Sequence, residues 1–161
     1  MTNEHKELRE NFGLFATGVA VASTVDNQNN KNFITINSLS SVSLDPALLL
    51  FCIENKSHNF DAFTQNNNFV INLLTKEQED ISKLFSKHES QREDYDVDNI
   101  FFKSNLGNLI LNDSLGYFEC IRENIFDAGD HHIITGRITN FSKINPDKKP
   151  LIYYKGTYNS L

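Results

Sequence analysis

No apolar run in this 161-residue chain approaches the roughly 18 residues of a membrane span, and the N-terminal segment lacks the apolar stretch of an export signal. The expectation is a protein that neither crosses nor anchors to a membrane. Cysteine is scarce. Cys52 and Cys120 lie far apart and show no metal or redox spacing, so they read as buried thiols of a reducing, cytoplasmic protein. Positive charge is in deficit. A net charge of −6 and a pI near 5.3 leave nothing to offset repulsion from a phosphate backbone, so no nucleic-acid partner is expected.

Several catalytic and cofactor motifs are missing as well. No G-x-G-x-x-G follows a strand, which argues against a Rossmann dinucleotide site, and no G-x-x-x-x-G-K-[ST] or G-x-S-x-G is present. The five histidines show no metal-ligand spacing. His131 and His132 are adjacent, and on a strand their side chains point to opposite faces, so they cannot share one ion. No metal site is expected.

What is present is a foldable chain. Apolar residues make up 39% and 13 residues are Phe, enough for one full-sized core, and residues 1–161 read as a single domain. No repeat and no Pro/Gly/Ser-rich linker divides it. Leu8, Phe12 and Phe15 fall on one face of a helix that should end near Gly18. Strands are expected at Gly18–Val25, Asn32–Ile36, Ser38–Ser43, Ala47–Glu54 and Phe69–Leu74, with Asp26–Asn32 as a hairpin loop. Ser57 should cap a short helix that buries Phe60 and Phe63. Thr75-Lys76-Glu77-Gln78 reads as a capping box opening a helix with Ile81, Leu84 and Phe85 inward. His88 to Asn112 is polar and irregular, with an apolar patch at Ile100–Phe102. Strands at Tyr117–Phe126, His131–Ile144 and Pro150–Tyr154 complete the chain. So many strands and so few helices predict a mainly β protein, a barrel with a few short appended helices, closed because little is available to cover sheet edges.

Four constellations bear on chemistry, and each has two readings. Thr35-Ile36-Asn37-Ser38, with Ser40, Ser41 and Ser43 behind, is either a neutral anion cradle of hydroxyl, amide and backbone N–H groups or a polar edge strand. Asn55-Lys56-Ser57-His58 is either an anion site at a helix start or an ordinary cap. Ala128-Gly129-Asp130-His131 is a turn whose His either points at a ligand or faces water. Pro150 to Gly156 ends a strand in Tyr153 and Tyr154, of which alternation lets one meet a ligand.

Taken in order, these segments resemble the flavin reductase-like family of FMN-binding split β-barrels, which includes the reductase components of two-component flavin monooxygenases. The resemblance is carried by Phe15-Ala16-Thr17-Gly18-Val19, the run from Thr35 to Pro46, Asn55-Lys56-Ser57, Phe69 to Leu74, Gly129-Asp130-His131 and Pro150 to Gly156. It implies a homodimer that binds FMN, or FAD in its place, near the subunit interface, and that takes a hydride from NADH or NADPH. A partner monooxygenase would then receive reduced flavin. An FMN-binding electron carrier or flavin store without direct NAD(P)H oxidation is the alternative. Carried over residue by residue, Thr35, Ile36, Asn37 and Ser38 would contact the flavin ring and ribityl phosphate, Ser57 would hold the phosphate, and Cys52 and Ile53 would line the ring. Phe85 would border the same pocket. His131 would sit where the nicotinamide stacks, with Tyr154 flanking it. Asn37 stands where Ser is frequent, and Lys155 where Arg is usual, which weakens any bidentate contact there.

Overall fold

The computed structural model describes residues 2–92, 96–104 and 106–161; part of the polar stretch between His88 and Asp98 therefore lies outside the described residues. Strands dominate: β1 (Thr17–Gly18), β2 (Ala20–Val25), β3 (Lys31–Ile36), β4 (Ser40–Leu44), β5 (Ala47–Glu54), β6 (Asn68–Leu73), β7 (Phe101–Lys103), β8 (Leu109–Leu111), β9 (Gly116–Ala128), β10 (His131–Lys143), β11 (Leu151–Tyr154) and β12 (Thr157–Ser160). Between them lie α1 (Asn3–Phe12), α2 (Phe60–Gln65), α3 (Glu79–Ser86) and α4 (Val97–Ile100). Among the described residues no helix is long and apolar enough to cross a membrane.

Seven strands form one antiparallel sheet in the order β3-β2-β6-β9-β10-β5-β4. The expected closure is not made: among the described residues β3 and β4 are edges and do not pair. The reason lies in what covers β3. The Thr35 hydroxyl donates to the Ser82 carbonyl of α3 at 2.7 Å, so a helix shields this edge instead of a strand. β2 is buried on both faces because its alternate residues enter two cores. Val21 packs with Phe33, Leu84 and Phe85, whereas Ala20 and Ala22 pack with Phe51, Phe69 and Ile134. At Gly136 of β10, a Cβ would come within 2.4 Å of the Phe69 ring, so this glycine lets the ring cross the strand.

Other expectations shift. α1 ends at Gly13, not near Gly18, and buries none of its residues; Phe12 is 71% exposed. The β2–β3 loop forms as expected, with the Asp26 carboxylate accepting from Gln28 N, Asn30 N and Asn30 Nδ2 at 2.8 Å each. At Thr75 the return half of the capping box is present, Gln78 Oε1 accepting from Thr75 N at 3.1 Å. The 88–112 stretch is less irregular than its polarity suggests. It contains α4 and the β7–β8 hairpin, whose Phe101 ring lies 4.6 Å from Phe33. A further strand, β12, pairs with β11 across the Lys155-Gly156 turn, where both residues have positive φ (50° and 77°), the tight form that suits a two-residue hairpin.

Candidate functional site

The sheet opens where β3 ends, and the Thr35–Ser38 segment lies at that opening. Its hydroxyls are mostly engaged by the protein. Thr35 donates to α3, and Ser38 Oγ accepts from Cys52 N at 3.0 Å and lies 3.4 Å from Cys52 O. β4 begins at Ser40, which pairs with Leu50, so Ser38 extends the same register toward Cys52 with its side chain. Ile36 is buried in the core. Of the four side chains, Asn37 is left exposed, on a concavity of roughly 240 Å³ lined also by Val19, Ser86, Tyr153 and Tyr158. An apolar cleft of similar size, reaching Leu74 and Leu115, shares Val19 and Asn37 with it.

Tyr153, not Tyr154, faces this concavity, in keeping with strand alternation. Its ring meets Tyr158 at 5.3 Å, and the Tyr158 hydroxyl lies 2.8 Å from Ser82 Oγ. Tyr154 is exposed, with the Lys155 ammonium 5.3 Å from its ring centre. Cys52 is half-buried, not buried, and burial pushes its thiol up while the Ser38 hydrogen bond opposes this. Burial pushes the Cys120 thiol up to about 12. The Ile53 and Phe85 side chains belong to the two cores and are almost fully buried, which leaves the Ile53 backbone as the part that a ligand could meet.

β5 ends at Glu54, and the chain turns through Asn55-Lys56-Ser57 before α2 starts at Phe60. Asn59, not Ser57, precedes the helix, and Ser57 Oγ accepts from Asn59 N at 3.2 Å. The buried Asn59 amide donates to the Phe33 carbonyl at 3.0 Å. Arg92 reaches the same carbonyl, with Nη2 at 3.0 Å. Its Nε donates to Lys87 O at 3.2 Å, and its guanidinium lies over the Phe85 ring at 5.2 Å. Phe85 thus acts at one remove, as a platform for Arg92.

His58 completes this cluster. Its Nε2 lies 3.0 Å from Asn59 Nδ2 and 3.4 Å from Arg92 Nη2, and its ring is 4.4 Å from that of His88. Two donors converge on Nε2, so this nitrogen is the acceptor. Desolvation first, then the charges of Arg92 and His88, hold His58 below the ordinary histidine range. The charge of this cluster is therefore carried by the Arg92 guanidinium, beside a neutral His58 ring. Sequence reasoning missed Arg92 and His88 because they sit in a polar stretch with no motif; only folding brings Arg92 to Phe33 and His88 to His58.

The β9–β10 hairpin supplies the third piece. Its Gly129-Asp130 turn is fastened to the segment after β5: Asn55 N donates to Asp130 O at 2.9 Å, and Asn55 Nδ2 to Gly129 O at 3.2 Å. His131 is half-exposed, with Nδ1 2.7 Å from Asp130 Oδ1, and this contact holds the Asp130 carboxyl below its usual range. His131 opposes Glu54 and His132 opposes Ile53 on β5, so the two imidazoles leave the sheet on opposite faces. Of the predicted residues, the structure joins Ser38 to Cys52 and the turn before His131 to the Asn55–Ser57 segment, whereas the side chains of Ile36, Ile53 and Phe85 enter the cores and Tyr154 faces away from the concavity.

The chain matches known proteins over nearly its whole length. Residues 12–161 match the family model described as "Flavin reductase like domain". The chain belongs to the flavin reductase-like domain family. It is 37% identical over 156 residues to the reductase component of the flavin-dependent trigonelline monooxygenase of Acinetobacter baylyi, covering 97% of this chain. It spans about half of that relative's length, 49%. It is 32% identical to an NADH-dependent FMN reductase, AsuE2, of Streptomyces nodosus subsp. asukaensis, covering 96% of this chain and 84% of the relative. In structure it is similar to BorF, the flavin reductase component of a bacterial two-component tryptophan halogenase. That match has a TM-score of 0.90 at 28% identity and covers 98% of each chain.

Proposed function

We propose that residues 1–161 form one NAD(P)H-dependent flavin reductase domain that binds FMN along Thr35–Ser38 and reduces it from a nicotinamide held beside His131. The observation that carries this reading is the convergence of Arg92 and Asn59 on the Phe33 carbonyl of β3, with His58 against both and Ser57 bonded to Asn59. A guanidinium already fixed by two backbone carbonyls and an aromatic face is preorganised for a phosphate. The donor set fits a flavin mononucleotide: cationic and hydroxyl groups for its phosphate, and an amide and aromatic faces for a polar ring system.

When bound, flavin supplies the two-electron chemistry, accepting a hydride from a reduced nicotinamide. The protein's part is placement. Ser57, His58 and Arg92 hold the phosphate; Asn37 and the backbone of Thr35, Ile36 and Ser38 meet the ring and ribityl chain; the Cys52 and Ile53 backbone lines it. Tyr153 and Tyr158 give the concavity its aromatic wall, and Tyr154 flanks the nicotinamide side. His131, held through Nδ1 by Asp130, orients the incoming nicotinamide; no general base is needed, and positioning is the main catalytic contribution.

A concavity of roughly 240 Å³ lies below the usual size of a cofactor pocket. Leu44 is 94% exposed and Phe141 70%. Both facts support a homodimer whose second copy covers the flavin. The names of the relatives support NADH as donor, FMN as acceptor and an oxygenase partner that receives reduced flavin. The free thiols of Cys52 and Cys120 suit a reducing cytoplasm. Mixing the purified protein with FMN and then NADH tests the reading. Flavin-dependent NADH oxidation is expected; yellow protein without oxidation favours an electron carrier, and no flavin binding overturns the proposal.

A further inference from the structure

We propose that His132 is a positioning residue that sets the place of His131 by way of Asn55, an inference that rests on the reductase reading above. His132 and His131 are neighbours on β10 and point to opposite faces, so His132 does not reach what His131 reaches. Both nitrogens of the His132 ring are nevertheless engaged. Nδ1 lies 2.7 Å from Asn55 Oδ1, and Nε2 lies 2.7 Å from Asp127 Oδ1.

The orientation of the Asn55 amide follows from its other end. Nδ2 donates to the Gly129 carbonyl at 3.2 Å, so the oxygen is the atom offered to His132. A carboxylate and an amide oxygen both accept, and the full set of bonds therefore uses an N–H at each ring nitrogen. The ring also stands edge-on to Phe60 of α2, with centroids 4.9 Å apart. One side chain thus ties the end of β9, the turn after β5 and the start of α2 together.

The piece held by this tie is the turn that precedes His131. Asn55 bonds the carbonyls of both Gly129 and Asp130. Gly129 has φ +69° and no side chain to restrain it, and the Asp130 carboxylate is exposed and bonds to His131. The placement of His131 and of its Asp130 partner therefore depends on Asn55, and the placement of Asn55 depends on His132. An aromatic ring of similar size at 132 keeps the contact with Phe60 but removes both hydrogen bonds.

The test uses the full chain with FMN and NADH. H132F is expected to keep its FMN affinity and to lose turnover about tenfold or more, the loss falling on kcat and not on KM for NADH. N55D keeps an acceptor for His132 but cuts the bond to Gly129, and should reproduce the loss. The double variant H131A/H132F should be no slower than H131A, because the effect runs through His131. Multiplying losses, or H132F at the wild-type rate, would overturn the inference. A second readout needs no turnover: in flavin-free protein, the imidazole nitrogen shifts of His131 should move in H132F and in N55D, and unmoved shifts would overturn the inference. If wild-type protein oxidises no NADH, the reductase reading fails, while these shifts still decide the role of His132.

Discussion

Replacing Arg92 by alanine removes the guanidinium that the fold holds beside Ser57 and His58. The structure allows the cost to be divided. Phe33 O keeps its bond from Asn59, so a single carbonyl, that of the exposed Lys87, loses its partner. Adding the lost contact with the Phe85 face, the fold should lose about 2 kcal/mol. For a chain of this length that corresponds to a midpoint lower by roughly 4–8 °C. Flavin binding should suffer separately. One charge-assisted bond to a phosphate contributes about 1.5–3 kcal/mol, or roughly a 10- to 150-fold change in Kd. Titration of flavin fluorescence with FMN and with riboflavin, which lacks the phosphate, separates the two effects. R92A should weaken FMN by that factor and leave riboflavin nearly unchanged, and R92K should fall between because it keeps the charge without the fork. Equal losses for both flavins, or wild-type FMN affinity, would refute the phosphate role and leave Arg92 as a structural clamp.

Three further outcomes follow from the same geometry. S57A should weaken FMN binding by about 1 kcal/mol or more in the same titration, since its hydroxyl borders the cluster and, among the described residues, bonds a backbone N–H alone. G136A forces a Cβ within 2.4 Å of the Phe69 ring and 2.9 Å of Cys120 Cβ, and a urea titration should show about 1–3 kcal/mol lost. For pH, the folded protein holds His58 below its ordinary value of 6.5, so between the two values the unfolded chain binds the extra proton. The stability tied to the neutral ring is complete above 6.5 and declines as pH falls toward the folded value. H58Q should flatten that part of the urea-midpoint profile, and an identical slope in the variant would contradict the assignment.

Much of the strand pattern could be read directly, because it rests on local signals. The small and β-branched run before Val25, the polar loop after it and the apolar run from Leu48 to Cys52 each specify a strand or turn by themselves. The features that sequence reasoning missed depend on distant partners. Whether Phe12 is buried depends on a surface that α1 does not meet within the chain. β12 follows a Lys-Gly pair, a weaker turn signal than Asn-Gly, and pairs with β11, where the apolar pattern of the sequence ends. Within the site, Ser57 and His131 were visible as motif members. Arg92 was not, because its role comes from meeting Phe33, 59 positions away in the chain. The resemblance pointed to Tyr154, whereas Tyr153 is the ring that faces the concavity, a choice set by which side of β11 each residue occupies.

The most direct test of the central claim follows the nicotinamide absorbance of NADH, then NADPH, with purified protein in the absence and presence of added FMN. Rapid oxidation that requires flavin is the expected result. Tight binding of FMN with no nicotinamide oxidation at any flavin concentration would contradict it.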